Sequence, residues 1–345
     1  MILIFCPKTS FGFWAESFSL SSCLQFIFSA KYSKSMRIIL LFVGFAMLFV
    51  HHYIQRISVE SQFLAFATGI LFLGIPHGAA DLLVANQNAN NDKERFSMPL
   101  FFLNYLGRLL GFGAILWFFP LIGNILFIFL AAYHFGETDL HHFKTDTFFG
   151  KFLVTSYGLV ILSIILMPNF AEVRPILLLF KAGSDNLVFI NWLDSHRIGL
   201  ILSSIFLFLL SSAIYYSKNK NIVFPENKFF SIQFLLILVI LYNLPMVLGF
   251  TFYFVIWHST LSLKNITSYL RNNSSFNTAN RVFRQIVFYS LLAIGGILIF
   301  GFTGFMFTNN NAIMAYSFLG LAVLTAPHMQ VMHDMYHKIR LNHNA

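Results

Sequence analysis

A chain of 345 residues that is 57% hydrophobic and only 10% charged cannot cover itself for water, because a soluble domain carries about a quarter charged residues. With 45 phenylalanines and a mean hydropathy of +0.73 the composition excludes a soluble enzyme and describes a multispanning membrane protein. The formal charge of +9 is no nucleic-acid footprint, since Lys and Arg are scattered through short loops where they set orientation in the bilayer.

Residues 1–35 form a Ser- and Phe-rich extension with only broken apolar runs. They lack the ordered basic start, apolar stretch and cleavage site of a signal peptide. Met36-Arg37 leads directly into a clean span, so residues 36–340 are expected to form a single helical membrane domain that does not need the extension. Cys6 and Cys23 both lie in the extension, which leaves no disulfide framework and no thiolate site.

From there, apolar runs of about 20 residues bounded by polar clusters predict an all-α, multispanning helical bundle rather than a barrel of alternating strands. Candidate spans fall near 38–54, 62–85, 99–119, 121–140, 152–169, 198–216, 229–246, 248–263, 285–308 and 312–331, giving about 8–10 transmembrane helices. The pair 229–246 and 248–263, separated at Pro245, is short for two crossings, so a re-entrant or tilted segment fits as well. With the N-terminus inside, most Lys and Arg fall on the cytoplasmic side, and only Arg56, Arg174, Lys181 and Arg197 fall outside.

That topology has a consequence for chemistry. His77, His134, His258 and His328 lie on the second, fourth, eighth and tenth spans, all running outside to inside, and all in the cytoplasmic half. A single intramembrane histidine is usually structural, but four at one depth point to a shared metal site. Neutral imidazoles suit iron, zinc, copper or nickel rather than magnesium or calcium.

Asp81 follows His77 by four residues and Glu137 follows His134 by three, so on continuing helices each carboxylate would share a face with its histidine and orient it. Asp139 reads instead as an interfacial carboxylate near lysines. Gly78, directly after His77, and Gly136, two residues after His134, allow close backbone approach or simple helix packing. Arg108 is expected to pair with Glu137 or Asp81, or to snorkel toward the inner surface. His51, His52, His141 and His142 read as interface residues, and His333 as a reserve ligand whose spacing of five from His328 does not stack on one face. The stretches Asn86–Asp92 and Asn272–Asn280 read as solvated connectors. No phosphate loop or nucleophile elbow occurs, and Ser259 beside His258 lacks an orienting acid.

The motifs Pro76-His-Gly-Ala-Ala-Asp81, His134-Phe-Gly-Glu-Thr-Asp139, Trp257-His258-Ser259 and Pro327-His328-Met329 resemble those of the Brp/Blh-type bacterial membrane β-carotene 15,15′-dioxygenases, over residues 70–330. The resemblance implies oxygen-dependent cleavage of β-carotene at its central double bond to two retinal molecules. It also implies Fe(2+) held by histidines in a multi-pass protein of the cell (inner) membrane, and a rhodopsin as downstream user of the product. His77 and His134 match the family's iron ligands and His258 the first histidine of its third motif. Where that motif has a further histidine four residues on, this chain has Ser262, a poor neutral ligand for iron. Three imidazoles could hold the metal, His328 could supply the fourth, or the protein could have become a non-catalytic carotenoid or retinoid carrier.

Overall fold

The protein is described by a computed structural model at residues 33–141, 143, 145–178, 184–219, 227–272, 278–307 and 313–344. His142 and Cys6 and Cys23, with nearly all of the 1–35 extension, lie outside the described residues. Every regular element among those described is helical. The order is α1 (Ser33–Phe49), α2 (Val59–Gly69), α3 (Ile75–Ala79), α4 (Asp81–Asn91), α5 (Met98–Phe118), α6 (Pro120–Asp139) and α7 (Phe148–Leu166). Then come α8 (Phe170–Leu178), α9 (Ser184–Ser195), α10 (Arg197–Lys218), α11 (Asn227–Asn243), α12 (Met246–Phe250), α13 (Ser259–Asn272), α14 (Ala279–Phe307) and α15 (Ile313–Asn344). Three wider, π-wound turns interrupt them: Val50–Ile54, Ile70–Gly74 and Thr251–His258.

Eight helical segments among the described residues are long and apolar enough to cross a membrane. Two of them are longer than the apolar pattern suggests. The second spans Val59–Asn91, 33 residues that include the π-wound turn Ile70–Gly74 and a one-residue break at Ala80, and Met246–Asn272 covers 27 residues. The ambiguous pair around Pro245 therefore becomes a short apolar helix, Phe229–Asn243, followed by a segment long enough to cross.

The segments divide by burial. In the most apolar window of Met246–Asn272, 72% of residues are buried, against 11% in Met98–Phe118. The first is therefore a central helix, and the second turns Leu103, Leu106 and Leu110 outward, as a lipid-facing helix would. Helices α6 and α7 and the Thr251–His258 turn contribute a large share of the main buried apolar cluster, and α1, α11 and α12 add to it.

Lipid offers no hydrophobic drive between helices, so close packing and interhelical hydrogen bonds must hold them. Both are present on α7. Ser156 meets Ser211 at 2.6 Å and Ser163 meets Ser204 at 2.7 Å, pairing two serines seven residues apart on α7 with two on the antiparallel α10. On its other side α7 approaches α6 so closely that a Cβ at Gly158 would lie 1.9 Å from the Ala132 carbonyl oxygen, and one at Gly136 would lie 2.0 Å from that of Val154. Gly136 thus serves packing against α7.

The Asn-rich stretch after Val84 is no solvated loop. Asn86 to Asn91 form the last turns of α4, with Gln87 and Asn88 buried. The Tyr269 hydroxyl donates to Asn88 Oδ1 at 2.6 Å and accepts from Asn91 Nδ2 at 2.9 Å, which fastens α4 to α13. These amides satisfy each other across helices instead of turning to water.

Because the obstructing atoms at Gly136 and Gly158 are backbone, neither neighbour can move aside cheaply. Gly158→Ala is expected to destabilise by about 3 kcal/mol or more, read as a lowered thermal unfolding midpoint in detergent, with Gly199→Ala on the open face of α10 as the unaffected comparison.

Candidate metal centre

Two π-wound turns carry the chain into the site. Pro76 has no N–H to offer the carbonyl four residues back, and the preceding turn widens, with the Ile75 N–H bonding the Ile70 carbonyl. His77 follows on α3. The second wide turn ends at His258, where the Phe254 carbonyl accepts both the Ser259 N–H and, at 2.9 Å, the Ser259 hydroxyl. Ser259 is therefore a helix-winding residue. Such turns rotate the following side chains relative to a regular α-helix and recur at functional sites. The two turns pack against each other, with Gly69 close to Val255.

His77, His134, His258 and His328 are all buried and converge from α3, α6, the Thr251–His258 turn and α15. Ring centroids lie 4.8 Å apart for His77 and His328, 4.6 Å for His134 and His258, 4.9 Å for His134 and His328, and 5.6 Å for His77 and His258. Ligand nitrogens of His77, His134 and His258 all lie within 4.8 Å of one another. His134 Nε2 and His258 Nε2 stand 3.0 Å apart, close to the roughly 3.0 Å that separates two nitrogens bound at about 2.1 Å and at right angles to one ion.

The set can accept a metal on its own chemistry. Nε2 of His328, the nitrogen that Asp81 leaves open, and Nδ1 of His77 are buried without a hydrogen-bond partner among the described residues. Buried ring nitrogens without partners are costly unless something fills their valence. Neutral imidazole donors without thiolate or carboxylate in the cluster fit iron, zinc, copper or nickel.

The carboxylates do not serve the histidines that precede them. The helix breaks at Ala80, and Asp81 turns away from His77 to accept from His328 Nδ1 at 2.8 Å and from the Tyr105 hydroxyl at 3.0 Å. That bond leaves His328 only Nε2 to offer a metal. Glu137 does not touch His134. Its Oε1 accepts from His333 Nδ1 at 2.8 Å, from the Tyr133 hydroxyl at 3.1 Å and from Arg340 Nη2 at 3.4 Å. His333 is thereby taken up outside the imidazole cluster. Arg108 pairs with neither carboxylate and is exposed on α5.

Asp139 departs furthest from its sequence reading. It is buried, and accepts from Tyr157 at 2.8 Å, Tyr253 at 3.0 Å and the Trp257 indole at 3.1 Å, with Arg37 Nη1 at 3.8 Å. Tyr105, Tyr157 and Tyr253 lie outside the motifs, and Trp257 stands in one of them with no role assigned from sequence. Their signal was a polar tip inside an apolar run, which requires a partner when buried. Of the peripheral histidines, His52 bonds the Asn243 carbonyl at 2.8 Å and is exposed, whereas His141 is buried, bonded to the Thr138 carbonyl and packed on Tyr336. In the loop after α6, partial burial would raise the Asp146 carboxyl, but hydrogen bonds from Arg340 and His337 prevail and hold it below its ordinary range.

Aromatic rings close the apolar side of the cluster. Phe254 stacks on His258 with centroids 6.0 Å apart and meets the His77 edge at 6.3 Å, while Phe135 lies 5.0 Å from His258. Phe250 and Phe66 continue the row beyond Phe254.

A family model for beta-carotene 15,15′-dioxygenase matches residues 68–336. The chain belongs to that family. The match covers every imidazole of the cluster together with Asp81, Glu137 and Asp139, and stops short of Arg37 and Arg340. No curated protein and no solved structure matches the chain. Membership gives this buried, aromatic-walled histidine cluster a dioxygenase setting and a carotenoid as the class of substrate.

The Asp81 bridge ties α4 to α15, and its loss should be felt in stability. Asp81→Asn is expected to cost about 1.5–3 kcal/mol, the usual contribution of a hydrogen bond to a charged group, measured as a lowered unfolding midpoint of the metal-free protein in detergent.

Proposed function

We propose that the protein cleaves β-carotene at its central 15,15′ double bond with dioxygen, giving two molecules of all-trans-retinal. The balance is closed: one carbon–carbon double bond and the O–O bond are broken, two aldehyde carbonyls form, and no outside electrons are needed. The observation that carries this reading is the convergence of His77, His134, His258 and His328 from four separate helical segments in a chain of this family.

His77, His134 and His258 would hold Fe(2+), with His328 as the fourth ligand in place of the histidine absent at Ser262. Ferrous iron there would supply oxygen activation that side chains cannot perform. The protein's own part is placement and exclusion. Asp81 holds His328 in one tautomer with Nε2 available, while Phe254 and Phe135 would give the polyene an apolar wall and keep water from the reacting bond. A substrate as apolar as β-carotene would arrive laterally from the bilayer, past outward-turned helices such as α5. We place the protein as a multi-pass protein of the cell (inner) membrane, with a rhodopsin as the downstream user of retinal.

Expression in a β-carotene-accumulating bacterium tests the proposal. Bleaching with retinal in the extract is expected, together with loss of both retinal and bound iron in His77→Ala, His134→Ala and His258→Ala. Colour that persists with verified protein in the membrane would overturn the cleavage, and pigment that co-purifies equally with the alanine variants would identify a carotenoid carrier. His328→Ala is expected to lower the iron content of the purified protein, which a three-ligand centre would not show.

A further inference from the structure

Asp139 is a buried carboxylate that does not belong to the imidazole cluster, and nothing about lipid-exposed packing explains it. Removing a carboxylate from water costs several kcal/mol, of the order expected for any buried ion, unless its lone pairs are filled. Here they are filled from three other elements. Tyr157 comes from α7, Arg37 from α1, and Tyr253 and Trp257 from the π-wound turn Thr251–His258.

The last two donors decide what the cage does. Tyr253 and Trp257 stand four residues apart on a single turn and reach the same carboxylate, at 3.0 Å and 3.1 Å. Two anchors at that spacing fix how the segment is rotated about its own axis. His258 is the next residue after Trp257, so its direction is set about a quarter of a turn from the anchored face. That direction is the one in which His258 Nε2 lies 3.0 Å from His134 Nε2. Asp139 itself sits five residues beyond His134 on α6, so the same carboxylate links the helix of one imidazole to the rotation of the other.

We propose that Asp139 is a positioning residue of the metal centre, acting through Tyr253 and Trp257 to hold the Thr251–His258 turn in the rotation that aims His258 at the cluster. This rests on the metal reading of the site given above. Tyr157 satisfies the carboxylate from α7, which carries no imidazole of the cluster, so its loss should leave the aim of His258 unchanged; Arg37 also lies 5.8 Å over the Trp257 ring and is not independent of the turn.

The test is titration of metal-stripped full-length protein in detergent with Co(2+), whose visible absorption reports the number and geometry of nitrogen ligands without any turnover. Asp139→Asn and Trp257→Phe are expected to bind Co(2+) about 10- to 100-fold more weakly, as is usual when a supporting group of a metal ligand is lost, and to show an altered spectrum. Tyr157→Phe, which removes a donor of comparable distance from α7, is expected to keep the spectrum of the unaltered protein. If Asp139→Asn fails to elute as a single species, Trp257→Phe carries the test, because it leaves the carboxylate in place. Unchanged affinity and spectrum in both variants, or an equal loss in Tyr157→Phe, would overturn the positioning role. No Co(2+) binding by the unaltered protein would overturn the metal centre and this inference with it.

Discussion

Ionisable groups placed inside an apolar bundle must find one another, and in this protein that requirement braces the site. Each carboxylate that follows a cluster histidine reaches across to a different helix. Asp81, after His77, holds His328 on α15. Glu137, after His134, holds His333 and Arg340, also on α15. Asp139, on the same helix as Glu137, holds the turn that ends in His258. The segments that carry the imidazoles are therefore strapped together by buried carboxylates, and His328 is held directly by one of them. An acceptor without such donors would be costly in lipid, so the straps and the cluster are mutually required.

Around this braced centre the remaining helices are arranged by what they face. Segment Met246–Asn272 and helices α6 and α7 are largely buried, and their contacts are made by backbone-to-backbone approach at Gly136 and Gly158 and by paired serines. Helices α5 and α10 expose leucine and phenylalanine along most of their length. The wide turns before His77 and within the segment that ends at His258 pack together at the junction, so the irregular backbone sits where the cluster is built.

For a family of carotenoid dioxygenases the arrangement is chemically apt. The donor set is nitrogen-only, with no thiolate or carboxylate in it, and phenylalanine rings close it on the apolar side. The serine at position 262, where the resemblance calls for histidine, leaves a gap in the motif of one helix. His328, arriving from α15 with its Nδ1 already committed to Asp81, brings a fourth imidazole into the same space from elsewhere in the chain.

The helical class and the shared level of four histidines were legible in the residues alone. Composition required a membrane bundle, the apolar runs located most crossings, and the four motif histidines could be placed at one level because spans alternate in direction. The sequence did not determine partners. Asp81 and Glu137 share a helical period with His77 and His134, yet a break at Ala80 and the arrival of α15 redirected both, and Asp139 looked interfacial because its donors are 18, 114 and 118 residues away. Likewise Asn86–Asn91 read as a loop until Tyr269 supplied the amide partners. Periodicity records which face of a helix a residue occupies, but which neighbour meets that face is settled only when the helices pack, because a buried polar group takes the nearest complementary partner in space.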